Sequence, residues 1–154
     1  MGIDPGSTRV GYGIISGPKN LTLIDYGVIE AQGKNPAGLI QKIIAGLSSV
    51  VKKYRLDRVG IEKLYFTKNV KTGIAVAQTR GAILLEIGRR GIPIKELSPS
   101  EIKLAVTGYG LADKKAVAKM VARILGVEKL TGFDDASDAL AIAIAASNRP
   151  LDEN

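Results

Sequence analysis

The first thirteen residues, MGIDPGSTRVGYG, constrain the fold more than any other stretch of the chain. An apolar lead-in ends on Asp4, and the following Pro5 and Gly6 predict a sharp turn, because proline cannot donate to a sheet ladder and glycine tolerates positive φ. The β-branched and aromatic residues after Arg9 predict a second strand, paired with the first as a hairpin. Asp4 would then lie in the middle of a sheet, near a strand end. The alternative is an Asp that merely starts a turn.

Two missing residue types restrict the chemistry that is open to this chain. The sequence contains no cysteine and no histidine. Disulfides, thiolate zinc sites and cysteine nucleophiles are therefore excluded, as are the usual general base and the commonest metal ligand. Hydrolytic chemistry would have to use carboxylates, lysine, tyrosine, hydroxyls or metal-bound water.

The charge balance indicates a polyanionic partner. The chain has 22 basic and 15 acidic residues, which gives a net charge of +7. Such an excess favours nucleic acid over a membrane surface, although a basic protein without a specific partner is the alternative. No apolar run approaches the ~20 residues needed to span a bilayer and no signal-peptide pattern opens the chain, so we expect no membrane association.

The periodicity of the remaining sequence predicts an α/β fold in one domain over residues 1–154. Alternation predicts three further strands, at residues 21–30, 58–63 and 92–97. Helical spacing predicts five helices, at about residues 36–54, 70–90, 99–107, 113–125 and from 134 onward. Pro93 places the last strand near an edge of the sheet. We therefore expect a mixed five-stranded sheet, with three antiparallel strands followed by parallel ones and helices on both faces.

Four carboxylates from three regions could converge on one site. Asp4 and Glu62 end apolar strands. Asp135 and Asp138 lie three residues apart on one face of the last helix. Two carboxylates about 4 Å apart repel by about 4 kcal/mol at an effective dielectric constant near 20, so convergence requires cations or protons. As alternatives, Glu62 could be a solvent-facing strand end, and Asp134 or Asp135 could cap the helix.

The ligand types predict which cations such a site would bind. Oxygen donors without histidine or cysteine suit Mg²⁺ or Mn²⁺ and disfavour zinc. Two such ions activate a water molecule and stabilise the leaving oxygen of a phosphodiester. An acidic pocket on a basic surface is the arrangement that a metal-dependent nuclease needs.

Several motifs, in order and at similar spacing across essentially the whole chain, resemble those of the RuvC family of Holliday junction resolvases. They are GIDPGS, GYG, GIEKLYFTKN, QTRGA, PSEIKLAVTGYGLADK and DASDALAIAIA. The resemblance implies an RNase H-like fold and a homodimer that nicks two opposed strands of a four-way DNA junction in recombination and repair. It implies two Mg²⁺ ions per active site, with Mn²⁺ as a substitute. It also implies a RuvA–RuvB branch-migration complex as a partner and a bacterial cytoplasmic location.

The same resemblance implies roles for individual residues. The catalytic and metal-binding acids would be Asp4, Glu62, Asp135 and Asp138. The DNA-binding residues would be Tyr65, Lys68, Lys103, Lys114 and Lys115. Tyr65 falls where the family carries an aromatic residue that stacks on an unpaired base. Tyr65 could instead be hydrophobic filler, and Lys114 with Lys115 could be a solvated helix start.

Three other functions stay open from the sequence. The stretch DPGST also resembles the phosphate loop of actin-like and sugar-kinase phosphotransferases, although those enzymes use two lobes and this chain has room for one. A non-catalytic junction-binding protein would use the acids as caps and strand ends. An RNase H-like nuclease acting on RNA–DNA hybrid or RNA would keep the metal site and change the substrate.

Overall fold

A computed structural model describes residues 1–17, 20–65, 70–128, 130, 132 and 134–148. Its strands are β1 (Gly2–Asp4), β2 (Arg9–Ser16), β3 (Thr22–Glu30), β4 (Val59–Glu62) and β5 (Ile94–Leu97). Its helices are α1 (Pro36–Lys53), α2 (Val70–Gly88), α3 (Pro99–Thr107), α4 (Lys114–Ile124) and α5 (Asp134–Ser147). The predicted order of strands and helices is confirmed.

The five strands form one mixed sheet in the order β3-β2-β1-β4-β5. Strands β1, β2 and β3 are antiparallel neighbours, whereas β4 lies parallel to both β1 and β5. Asp4 therefore ends the central strand, as the sequence predicts. Strand β5 is at an edge but begins at Ile94, two residues later than predicted. Pro93 precedes the strand and contributes only its carbonyl, which accepts the Val59 N–H at 2.9 Å.

Two hydrophobic layers cover the two faces of the sheet. Helices α1 and α2 pack on one face, against strand residues such as Ile3 and Ile61, which are fully buried. Helices α3, α4 and α5 form the layer on the other face, where Leu140 and Ile144 are buried. The prediction of helices on both faces is confirmed. Within the part of the chain that the structure describes, no helix combines the length and apolar character needed to cross a membrane.

Local capping fixes where the helices near the strand ends begin. The Ser98 side chain accepts the N–H of Glu101, whose carboxylate accepts the N–H of Ser98 in return, so α3 starts with a complete capping box. Asp113 caps α4 by accepting the Ala116 N–H at 2.8 Å. Gly108 ends α3 in the left-handed region with φ 78°. These short-range bonds set the starting points of the two helices that carry Lys103 and Lys114.

Helix α5 lies directly on the backbone of the sheet because the facing strand positions are glycines. A Cβ atom added to Gly2 would lie 2.0 Å from the carbonyl oxygen of Ala139. A Cβ atom added to Gly11 would lie 2.0 Å from the carbonyl oxygen of Asp135. Non-bonded atoms in proteins do not approach that closely, so a residue with a side chain at either position would push the helix away from the sheet. This close packing brings the first turns of α5 to the level of Asp4.

Candidate active site

Three of the four predicted acids line one cavity of about 220 Å³. Asp4 and Glu62 are the last residues of the adjacent parallel strands β1 and β4, so both reach the same edge of the sheet. Asp138 faces them from the second turn of α5. The cavity wall also contains Lys103 of α3 and Lys114 of α4. Five ionisable side chains from five elements thus meet at one place.

The cavity concentrates negative charge. Burial first, and then the carboxylates of Asp138, Glu62 and Asp135 in that order, together raise the pKa of Asp4 to about 7. Burial is also the main cause of the raised pKa of Glu62, followed by the charge of Asp138. Carboxyl groups in such a place either bind protons or require a positive partner.

Two lysines supply part of that positive charge. The Nζ atom of Lys114 lies 2.9 Å from Oδ2 of Asp138 and 3.4 Å from Oδ2 of Asp134. The hydrogen bond to Asp138 is the main reason that the pKa of Lys114 is raised. Lys103 lowers the pKa of Glu62 against the effect of burial. The lysines therefore lie where they can also contact an anionic ligand of the cavity.

Asp135 does not line this cavity. Its Oδ2 atom lies 3.3 Å from Nη1 of Arg9, at the start of β2. The Nε atom of Arg9 is 3.0 Å from Oε1 of Glu30 on β3. Asp135 is still close enough to act on the Asp4 carboxyl through its charge. The structure therefore places Asp135 at the rim of the site, in an ion pair that the sequence did not predict.

The chemistry of the donor set, rather than its present spacing, suits a hard divalent cation. Within the described residues, no three acidic side chains form a group that could hold a metal ion in the arrangement seen here. Asp4, Glu62 and Asp138 nevertheless line a shared cavity, where their mutual repulsion is only partly compensated. A chain without histidine or cysteine offers such an ion oxygen ligands, the type that Mg²⁺ and Mn²⁺ prefer.

The residues predicted to contact DNA fall into three groups. Lys103 and Lys114 line the cavity. Tyr65 follows Glu62 by three residues and is 58% exposed, and Lys115 is exposed on the first turn of α4. The exposure of Tyr65 argues against the filler interpretation. Lys68 lies outside the described residues.

Two arginines that the sequence analysis did not single out contact acidic residues of the site. Arg9 pairs with Asp135, and Arg80 of α2 donates from Nε to the backbone carbonyl of Glu62 at 3.1 Å. Arg80 belongs to the QTRGA motif and lies on α2 next to the buried Thr79.

A mixed β3-β2-β1-β4-β5 sheet with a carboxylate-lined cavity at its central strand ends defines an RNase H-like protein. A family model described as "Crossover junction endodeoxyribonuclease RuvC" matches residues 1–146, and the chain belongs to the RuvC family. This family consists of metal-dependent nucleases.

Individual relatives agree with the family match along nearly the whole chain. The RuvC of Clostridioides difficile strain 630 is 43% identical over 153 residues, covering 97% of this chain and 90% of the relative. The RuvC of Syntrophomonas wolfei is 45% identical over 147 residues, covering 94% and 85%. A solved structure titled "T. thermophilus RuvC in complex with Holliday junction substrate" superposes with a TM-score of 0.86 at 31% identity, covering 94% of this chain and 89% of that one.

Proposed function

We propose that this protein is a Holliday junction resolvase, a homodimeric endonuclease that nicks two opposed strands of a four-way DNA junction in recombination and repair. The observation that carries the proposal is the meeting of Asp4, Glu62 and Asp138 in one cavity of a RuvC-family chain. The similar Thermus thermophilus protein was solved with a Holliday junction substrate, which supports the same substrate class here.

In this proposal the acids hold Mg²⁺ or Mn²⁺. Asp4, Glu62 and Asp138 supply oxygen ligands from the cavity, and Asp135 contributes from the rim. When bound there, two such cations would supply the chemistry that activates a water molecule and stabilises the leaving oxygen of a phosphodiester. The products carry 5′-phosphate and 3′-hydroxyl ends.

The lysines and Tyr65 position the DNA. The ammonium groups of Lys103 and Lys114 lie beside the acids, where they can contact the oxygens of the scissile phosphate. The Tyr65 ring, exposed just beyond Glu62, would stack on an unpaired base near the crossover. Lys115, and Lys68 outside the described residues, add contacts to the phosphate backbone.

Helix α2 is the proposed dimer face. Its exposed apolar residues Val70, Ile74 and Leu85 share one stripe about 60° wide by helical geometry. Gly81 lies within that stripe and has open space around it, which would allow a second copy to approach closely. A two-fold dimer would present two cavities to the two opposed strands of a junction. Family membership adds a RuvA–RuvB complex as a further partner.

The test is cleavage of a labelled synthetic four-way junction, beside linear duplex and RNA–DNA hybrid, with Mg²⁺ and with EDTA. The protein should make paired, symmetric nicks in the junction alone, and only with Mg²⁺.

Asp4→Asn should bind the junction but cleave about a thousandfold more slowly, because the cations lose a ligand. Asp25→Asn, at a carboxylate held by Tyr54 elsewhere in the sheet, is the matched control and should keep cleaving. Cleavage of the hybrid instead would overturn the substrate.

A further inference from the structure

The backbone carbonyl of Glu62 lacks the donor that the sheet would normally supply. Strands β1 and β4 are parallel with Gly2 beside Gly60, and the Gly60 N–H donates to β1 at 2.8 Å. If the pairing continued in this register for two more residues, Asp4 would lie beside Glu62. In a parallel ladder the Glu62 carbonyl would then accept its hydrogen bond from the N–H of residue 5. Residue 5 is Pro5, which has no N–H. The turn that follows Asp4 therefore leaves a carbonyl at the neighbouring strand end without its ladder partner.

Arg80 supplies the missing hydrogen bond from α2, on the face of the sheet opposite the cavity. Its Nε donates to the Glu62 carbonyl at 3.1 Å. Its Nη2 pairs with the carboxylate of Glu96 on β5, which lies beside Ile61 in the sheet. The Arg80 side chain is only 14% exposed, whereas the Glu96 side chain is 47% exposed, so the bond to the Glu62 carbonyl is the more sheltered of the two. One guanidinium thus braces α2, β4 and β5 at the point where β4 ends.

The hydrogen bond from Arg80 restrains the backbone of Glu62, a residue whose side chain belongs to the cavity. Glu62 lines the cavity, while its backbone carbonyl accepts a hydrogen bond from Arg80. The next residue, Lys63, donates its N–H to the Leu97 carbonyl at 2.8 Å, which fixes the chain on the β5 side. Without Arg80 the peptide group after Glu62 could rotate, and both the carboxylate and the segment toward Tyr65 would move with it.

We propose that Arg80 is a positioning residue for Glu62. It replaces the ladder donor that Pro5 cannot provide and thereby keeps the Glu62 carboxylate directed at Asp138 and Asp4. The proposal rests on the proposed function, because Glu62 is there assigned to cation binding. The planar guanidinium suits the task because it donates to the carbonyl and the Glu96 carboxylate together, which a lysine cannot do in the same geometry.

The experiment compares Arg80→Gln and Arg80→Lys with Arg90→Gln. Arg90, just beyond α2, bonds to Glu86 and Ser48, so it is an arginine with similar contacts and none to the cavity. Mn²⁺ affinity is measured on the DNA-free protein from the electron paramagnetic resonance signal of free Mn²⁺. Arg80→Gln should weaken Mn²⁺ binding about tenfold, as loss of a group that orients a metal ligand does. Arg80→Lys should fall between, and Arg90→Gln should bind Mn²⁺ like the unchanged protein.

Two further readouts separate positioning from general destabilisation. In junction cleavage, Arg80→Gln should raise the Mg²⁺ concentration needed for half-maximal rate about tenfold and leave the KM for the junction within about twofold. In a Glu62→Gln background, adding Arg80→Gln should cause no further loss of Mn²⁺ affinity, since Arg80 acts through Glu62. An Mn²⁺ affinity of Arg80→Gln equal to that of Arg90→Gln would overturn the proposal. Arg80-dependent Mn²⁺ binding in a protein that cleaves no junction would overturn the proposed function and leave the role of Arg80 standing.

Discussion

Asp4 carries the largest electrostatic cost among the acids of the cavity. It ends the central strand, so the sheet buries it and three other carboxylates act on it. Lys114 offsets part of the repulsion. The proton affinity of this one side chain therefore couples folding, pH and cation binding.

We predict that the free energy of unfolding falls as pH rises from about 4 to 7 when divalent cations are removed. The pKa of Asp4 is raised from 3.8 to about 7, so in this window the folded protein binds a proton that the unfolded chain has already lost. The contribution amounts to about 1.4 kcal/mol per pH unit and ends above pH 7. Urea denaturation in EDTA at several pH values measures it.

Asp4→Asn is the control for this pH dependence, because an amide does not titrate. The variant should gain stability relative to the unchanged protein as pH rises through the window, and saturating Mg²⁺ should flatten the slope of the unchanged protein. Equal slopes in both proteins in EDTA would show that another group is responsible.

At the residue scale the sequence indicates which side chains carry chemistry better than it indicates their partners. Asp4, Glu62 and Asp138 stand out in the sequence as strand ends and by helical spacing, and these three line one cavity, whereas Asp135, expected to join them, does not. The bonds of Arg9 to Asp135 and of Arg80 to Glu62 join residues 126 and 18 positions apart, and no local pattern encodes them.

At the scale of elements, the relation between α5 and the sheet determines the site. The helix lies against backbone rather than side chains, since Gly2 and Gly11 face it. Its register along the sheet fixes where Asp138 emerges.

We predict that Gly11→Ala destabilises the protein by about 2 kcal/mol or more and slows junction cleavage. The new methyl group would overlap the carbonyl of Asp135, so α5 must shift and take Asp138 with it. Gly38→Ala, in α1, is the matched control. Its Cβ would have only Asn35 at 4.0 Å, so it should gain up to about 1 kcal/mol from helix propensity. Thermal unfolding and the junction assay measure both effects, and a fully active Gly11→Ala would contradict this account of α5.

The strands and helices themselves were largely predictable from the sequence, but the close packing of α5 on the sheet was not. Alternation and helical spacing give the strands and helices, and Ser98 with Glu101 gives a helix start that the structure contains. A glycine within a strand reads locally as a weak position. The close contact between Gly11 and the backbone of α5 is a feature of the tertiary structure, so it becomes visible only when β2 and α5 are seen together.

At the scale of the whole molecule, the apolar stripe on α2 and the cavity lie on different parts of the surface. The stripe consists of Val70, Ile74, Gly81 and Leu85. Paired cutting of a junction needs two cavities held in a fixed relation, which the proposed dimer provides.

We predict that Leu85→Glu converts the proposed dimer to a monomer and replaces paired nicks with single ones. A charge within an apolar contact between two copies is costly to bury. Sedimentation measures the mass, and a junction labelled on opposed strands reports whether both are cut in one encounter. Ile24→Glu, an equally apolar exposed site on edge strand β3, should leave mass and paired cutting unchanged. A dimeric Leu85→Glu would place the interface elsewhere.

The glycine positions beneath α5 also have a consequence for how this chain can vary over time. A position where hydrogen alone fits is as restrictive as one where only a carboxylate will serve, although it performs no chemistry. In a complete substitution library selected for repair of damaged DNA, Gly2 and Gly11 should tolerate as few replacements as Asp4 and Asp138. Preservation of this active site during evolution would then depend as much on the two glycines, which have no side chain, as on the acids themselves.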